Sequence, residues 1–357
     1  MVKRKQLNPL IFIFVALIGL ASCTGSQTPA TTAVSSAVTT QKPEYAKHFE
    51  IERTGTDRIL RIFNPWKPGA VMQELVFNDS TGIRRPVRSL IPMSTSFYGY
   101  LEKLGELNTV SGIEDKNYVF NPELLKKAES GQLPEVGQAG NISIERTIEL
   151  APQLVIISGT EILGPNLLKI ESSGIPILNN MDWQEQHPLG RAEWIKVFGL
   201  LFNKEHEADS IFNSIKTRYL ELRDRVEKEI PANRQDVLLG YNYQGTWFLP
   251  GGKSYVGQYL RDAGVNYKYS RDTTTGSLPL NAELVFNDFA ATKVWINPGS
   301  CKNLKELLLL DQRYKNLASF RGGQVFNNNL RSLPNGGNDF WENSPSNPDI
   351  VLSDLVK

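Results

Sequence analysis

Two cysteines and three histidines are all that the 357 residues carry of either type. His48, His187 and His206 stand far apart, with no His-x-x-x-His pair and no cysteine at ligand spacing, so no compact set for a bare transition metal is offered. Charge of one sign is not in excess. The 39 Lys and Arg against 38 Asp and Glu give a formal +1, which argues against nucleic acid as a partner and against an acidic solvating tail. Long apolar runs are missing too: Leu10 to Leu20 is a run of 11, where a membrane-spanning helix takes about 20 residues. Catalytic signatures are equally sparse. No Gly-x-Ser-x-Gly elbow occurs, and Gly252-Lys253-Ser254 has Trp247 where a phosphate loop requires its first glycine. Cys301 has no histidine beside it in sequence and reads as an inert thiol.

What is present is ordinary globular composition, 40% hydrophobic and 22% charged, long enough for roughly two domains of about 150 residues. Lys3, Arg4 and Lys5 precede the apolar run, and Leu20-Ala21-Ser22-Cys23 follows it. An ordinary secretory signal would end in a small-x-small site and gives no reason for the cysteine. The segment resembles a bacterial lipoprotein signal, in which Cys23 becomes the acylated first residue of an exported, membrane-tethered chain. Removing residues 1–22 leaves 36 basic against 38 acidic residues, a formal −2, so lipid rather than charge would be the anchor. With Cys23 acylated, Cys301 has no disulfide partner. Residues 23–43, rich in Ser, Thr, Ala and Pro, read as a flexible tether, and the folded body is expected from Glu44.

Residues 48–77 alternate short β-type runs with Gly, Pro and Asn breaks, the pattern of a small antiparallel meander. From Arg84 the grammar becomes strand, loop, helix, strand, with strands expected at 87–91 and 154–157 and a helix at 145–150. Ala208, Ile211, Phe212, Ile215, Tyr219, Leu222 and Val226 step by three or four through a helix expected at 204–229, about 39 Å long at 1.5 Å per residue. A second helix is expected at 191–202. After Pro231 the grammar repeats. Tyr259-Leu260-Arg261-Asp262-Ala263-Gly264 echoes Tyr100-Leu101-Glu102-Lys103-Leu104-Gly105, and Asn281-Ala282-Glu283 leads to the strand 294–296 as Ser143-Ile144-Glu145 leads to 154–157. The reading is therefore an α/β protein with two Rossmann-like lobes joined by a long α-helix and a small N-terminal β-meander. Its boundaries are a signal at 1–22, the tether at 23–43, a first lobe at 44–185, linker helices at 186–230 and a second lobe at 231–357. Ligands of open α/β sheets bind beyond the carboxyl ends of the strands, so the loops Pro92 to Tyr98 and Tyr241 to Phe248 should face each other across a cleft.

On these residues the chain resembles a cluster A-type (class III) substrate-binding protein of an ABC importer, the group that carries siderophores, haem and cobalamin. The resemblance rests on Cys23, the strand and helix opening at Arg84 to Gly112, Asn141 to Arg146 followed by Pro152 to Ile156, the long helix, and Glu283. It covers roughly 270 residues. Trp247 to Tyr255, Trp295 to Gly299 and Gly336 to Glu342 are similar to a branch of such lipoproteins common in Bacteroidetes. Two features depart from the pattern: the cobalamin binders carry Trp six residues before each docking Glu, where this chain has Ala139 and Ser277, and the chain ends short of the expected terminal helix. The resemblance implies that Glu145 and Glu283, one on each lobe, dock on arginines of a two-fold permease with its ATPase subunits, that the chain is a monomer, and that no chemistry occurs on it. Each Glu also lies in a first helical turn, where the macrodipole alone accounts for a carboxylate.

The candidate cleft wall is Ser94, Thr95 and Tyr98 from the first lobe and Tyr241, Tyr243 and Trp247 from the second, with Arg331, Asp339 and Trp341 completing it. Tyr and Trp combine an apolar body with a polar handle, which suits a large amphipathic ligand, although any one of them is equally at home in a core. Arg331 would pair with an anionic group of the ligand or stand solvated at the surface. The expected cargo is an iron-siderophore or similar metal chelate, ahead of haem or cobalamin, with no metal site or cofactor of the chain's own. A lipoprotein hydrolase using the same cleft is the alternative, and an adhesion module built on the meander is a third reading.

Overall fold

The computed structural model describes residues 38–229 and 234–357. The signal segment and Cys23 lie outside the described residues. The fold opens with a four-stranded antiparallel sheet, β1 (Val38–Gln41), β2 (Phe49–Thr54), β3 (Asp57–Phe63) and β4 (Val71–Phe77), in sequential order. The expected tether thus ends earlier than residue 43. Val38, Thr39 and Thr40 pair with Thr54, Arg53 and Glu52 as an exposed edge strand, and β-branched residues suit that ladder without needing a core of their own.

The first lobe is a parallel sheet of β5 (Leu90–Met93), β6 (Leu154–Ser158) and β7 (Ile177–Asn180), in that order. All but Ser158 are buried, as expected for short apolar strands covered on both faces. The second lobe repeats the arrangement with β8 (Val237–Leu239). Next comes an antiparallel insert of β9 (Asn242–Tyr243), β10 (Thr246–Pro250) and β11 (Ser277–Asn281), followed by β12 (Val294–Ile296) and β13 (Val325–Phe326). The middle strand β12 pairs in parallel with β8 and β13. The echo between lobes is structural: Gly105 and Gly264 adopt φ of 68° and 72° just past the helices Tyr98–Lys103 and Tyr255–Asp262, a left-handed conformation that glycine takes without a Cβ clash.

The long helix is Glu205–Glu229, with Ala208, Phe212, Ile215, Tyr219 and Val226 buried along one face. The helix expected at 191–202 is two, Pro188–Glu193 and Ile195–Leu201, meeting at Trp194. Residues 44–48, between β1 and β2, are held by buried carboxylates of Glu185 and Glu193. Glu193 accepts the N–H groups of Glu44, Tyr45 and Ala46 at 2.7–3.0 Å, and Glu185 accepts those of Lys47 and His48 together with the Trp194 indole N–H. One core therefore unites the meander, the first lobe and the linker helices, while Trp247, Trp295 and Tyr314 centre a second core in the second lobe.

The assignment of everything after 231 to the second lobe does not hold past about residue 330. Asn335 donates to the Lys116 and Val119 carbonyls, Glu342 accepts from Phe120 N–H at 2.8 Å, and Lys103 donates to Asn347. These contacts return the chain to the first lobe. Gly337 permits the crossing, because a Cβ there would overlap the Val119 carbonyl. The last residues form a helix after all, Pro348–Val356. Pro348 at its first turn and Asp349 beside it are good helix-starting chemistry, and the helix packs on the long one.

Candidate functional site

Between the lobes lies a space of about 1610 Å³, larger than the ~300–1,000 Å³ common for small-molecule sites. The carboxyl ends of all six parallel strands reach it. Ser94 follows β5, Ser158 ends β6, Trp183 follows β7, Leu239 ends β8, Asn297 follows β12 and Asn327 follows β13. In the second lobe the space also runs along the sheet to its amino ends, at Val237, Val294 and Gln324, and on to the flank of the long helix at Val226 and the last helix at Ile350.

Five of the nine candidate wall residues line it: Ser94, Thr95, Arg331, Asp339 and Trp341. Ser94 caps the short turn Thr95–Phe97, and its hydroxyl lies 2.8 Å from that of Ser96. Trp341 is 59% exposed and packs edge-on against Phe340. Arg331 pairs with Asp339 at 3.0 Å and lies over the Phe120 ring, so this guanidinium is occupied by the chain itself.

The other four do not line the space. Tyr98 is buried in the first turn of its helix, and burial pushes its hydroxyl pKa far up. Trp247 is fully buried; its indole donates to the Leu239 carbonyl at 2.7 Å, and its ring meets Phe286, Trp295 and Tyr314. Its segment is a hairpin, not an open loop. Gln244 and Gly245, at φ of 51° and 89°, make the turn, and strand alternation then sends Trp247 inward and Phe248 outward. Tyr243 stands exposed beside that turn, and Tyr241 packs half-buried beside Gly299 and the second core.

Sequence reasoning missed the floor. Arg191, on the linker, lies 4.5 Å over the Tyr255 ring of the second lobe and 3.3 Å from Asp182, which is 1% exposed. Tyr100 donates to the Arg191 carbonyl at 2.8 Å. Burial raises the Asp182 pKa, and Arg191 opposes that rise. Arg191 Nε is buried with no hydrogen-bond partner among the described residues. Trp183 was missed as well; it is 43% exposed with its indole N–H fixed on the Gly159 carbonyl at 3.0 Å. Neither had a motif to mark it.

Glu145 and Glu283 are exposed and equivalent. Each stands in the first turn of a capped helix, Ile144–Leu150 or Ala282–Asp288, that runs back to the middle strand of its lobe. Such a helix points its first turn toward the carboxyl edge of the sheet. Glu283 is ion-paired with Arg313, which also binds Asp311. Among the described residues no group of three His, Cys, Asp or Glu is gathered to hold a metal ion, and burial raises the Cys301 thiol pKa.

A family model described as periplasmic binding protein matches residues 94–328. An uncharacterized lipoprotein of Methanocaldococcus jannaschii is 25% identical over 317 residues, covering 86% of this chain and 73% of its own. The periplasmic haem-binding protein HutB of Vibrio cholerae is similar in structure, with a TM-score of 0.56 at 15% identity, over 75% of this chain and 99% of that one. An ABC-type Fe3+-hydroxamate transport protein of Saccharomonospora viridis has a TM-score of 0.57 at 19% identity, over 83% and 97%. These last two likenesses are of fold.

Proposed function

Because the chain belongs to the periplasmic binding protein family, we propose that it is the substrate-binding component of an ABC importer and that it captures an iron-siderophore or similar metal chelate between its lobes. The observation that carries the reading is the convergence of six parallel strand ends on one large interlobe space, with the half-exposed indoles of Trp183 and Trp341 on its wall. Charged groups at that space are already paired with one another, Arg331 with Asp339 and Arg191 with Asp182, and of these only Arg191 Nε is buried without a hydrogen-bond partner among the described residues. This favours a ligand that brings its metal already coordinated and carries little net charge, since a bare ion or strongly charged ligand would have to break a pair.

In this reading the chain is exported, held to the envelope membrane by lipid on Cys23, and acts without chemistry of its own. The loaded form presents Glu145 and Glu283 together to arginines of the permease dimer, where bidentate pairing gives direction, and the ATPase subunits drive transport. The long helix between the lobes limits closure to a small hinge motion.

The test is a tryptophan-fluorescence titration of the full chain carrying Cys23→Ser, with ferric desferrioxamine B, haemin and cyanocobalamin as probes. A saturable change at micromolar or tighter ligand, weakened by Trp341→Ala, is the expected result. Silence with all three probes, or binding indifferent to Trp341, overturns the assignment of this cleft to a chelate of these classes.

A further inference from the structure

The meander lies outside the span matched by the family model, yet it is built against the cleft. On β4, Gln73 donates to the Ile177 carbonyl at 2.6 Å and accepts the Asn179 N–H at 3.0 Å, docking the meander on the free edge of β7. The turn between β3 and β4 is stiff. Asn64 Oδ1 accepts the N–H groups of Trp66 and Lys67 at 2.8 and 2.9 Å, and Pro65 and Pro68 fix the backbone around them. Lys67 reaches Glu161, in the loop that follows β6, at 3.5 Å.

This scaffold places the Trp66 ring 6.3 Å from that of Trp183, tilted by 58°. Trp183 lines the interlobe space, and the two residues, Trp66 and Trp183, are 41% and 43% exposed. A pair of indoles that met only to bury apolar surface would be covered further; these two are left half open, Trp183 with its indole N–H on the Gly159 carbonyl and Trp66 on a turn whose main chain Asn64 holds. Their ledge continues the cleft wall outward, beyond the residues that the strand ends supply.

Building on the chelate-binding reading, we infer that Trp66 is a specificity-determining residue, supplied by the meander, which packs with Trp183 against an apolar or π face of a metal chelate that projects from the cleft. The ledge selects for bulk. A compact ligand seated at the strand ends reaches Trp183 alone, whereas a larger one also covers Trp66.

Calorimetric titration of the full Cys23→Ser chain with the same three probes, beside Trp66→Ala, Trp66→Phe and Trp183→Ala, tests this. For the bulkiest probe that binds, Trp66→Ala should weaken affinity about tenfold, equivalent to 1.4 kcal/mol, with Trp66→Phe retaining most of it and the melting temperature unchanged. In the unsubstituted ring pair, the bound probe should protect Trp66 from oxidation by N-bromosuccinimide, read by peptide mass spectrometry, a result that does not depend on any variant folding. Equal affinity in Trp66→Ala, or equal oxidation with and without bound probe, overturns the inference and leaves the cleft reading standing. If the parent binds none of the probes, the chelate reading falls and the inference falls with it.

Discussion

The guanidinium of Arg191 lies over the ring of Tyr255, 4.5 Å from its centroid, so a side chain of the linker rests on the second lobe at the floor of the cleft. The same guanidinium is the counter-ion of Asp182, whose side chain is 2% exposed. Arg191→Ala leaves that carboxylate buried and alone, and should cost roughly 3–5 kcal/mol. Arg191→Met with Asp182→Asn removes both charges and should recover much of the loss. Urea denaturation of the two variants checks this; equal stability loss in both would mean that packing, not charge, dominates.

Trp247→Ala separates core from cleft. The ring is fully enclosed by Phe286, Trp295 and Tyr314, so its removal should cost about 3–5 kcal/mol while leaving the affinity of the folded protein unchanged. Trp341→Ala should do the reverse. Thermal melts paired with ligand titration of both variants read the two effects independently.

Stability should fall as pH rises through the window set by buried Glu342 and Glu185. Burial pushes each from 4.5 up to about 7, so between those values the folded chain holds protons that the unfolded chain has released. His187, held at about 4 by burial, acts in the opposite sense below 6.5, because there the unfolded chain binds the extra proton. The parent's slope is thus a sum, and the informative quantity is its difference from Glu342→Gln. That variant still accepts from Phe120 N–H but cannot ionise. Its melting temperature should decline less between pH 4.5 and 7 than the parent's, measured by differential scanning calorimetry.

Glu145→Arg with Glu283→Arg should leave ligand affinity unchanged and reduce ligand-stimulated ATP hydrolysis by the reconstituted importer at least tenfold, since two bidentate pairs would become like-charge contacts. Glu283 already holds Arg313, so docking there is an exchange of partners, whereas Glu145 forms no such pair among the described residues. The single change at Glu145 should therefore be the more damaging of the two. An ATPase rate in proteoliposomes that is indifferent to both substitutions removes the docking role.

The lobes, the long helix and the position of the cleft were legible because each depends on periodicity: buried β runs, a three-four apolar stripe, and the repeated Tyr-Leu-x-x-x-Gly ending of one helix per lobe. The cleft wall was legible only in part. Ser94 and Thr95 follow directly from the end of a strand, while Trp247 could be placed only by recognising Gln244-Gly245 as a turn, since one residue of register decides between core and surface. Arg191 and Trp183 carried no spacing signal at all. They belong to the site through contacts between segments distant in sequence, Arg191 with Tyr255 and Trp183 with Trp66.

Because residues beyond about 330 return to the first lobe, the second lobe is an insertion whose two ends both leave from the same body. As the chain emerges in order, the second lobe has its whole core, from Val237 to Val325, before the first has its last pieces. The first lobe must wait for Glu342 to cap the Phe120 N–H and for Leu352 to enter its core. A chain ending after residue 330 would lack these late pieces, leaving the first lobe unfinished beside a second lobe whose core is complete.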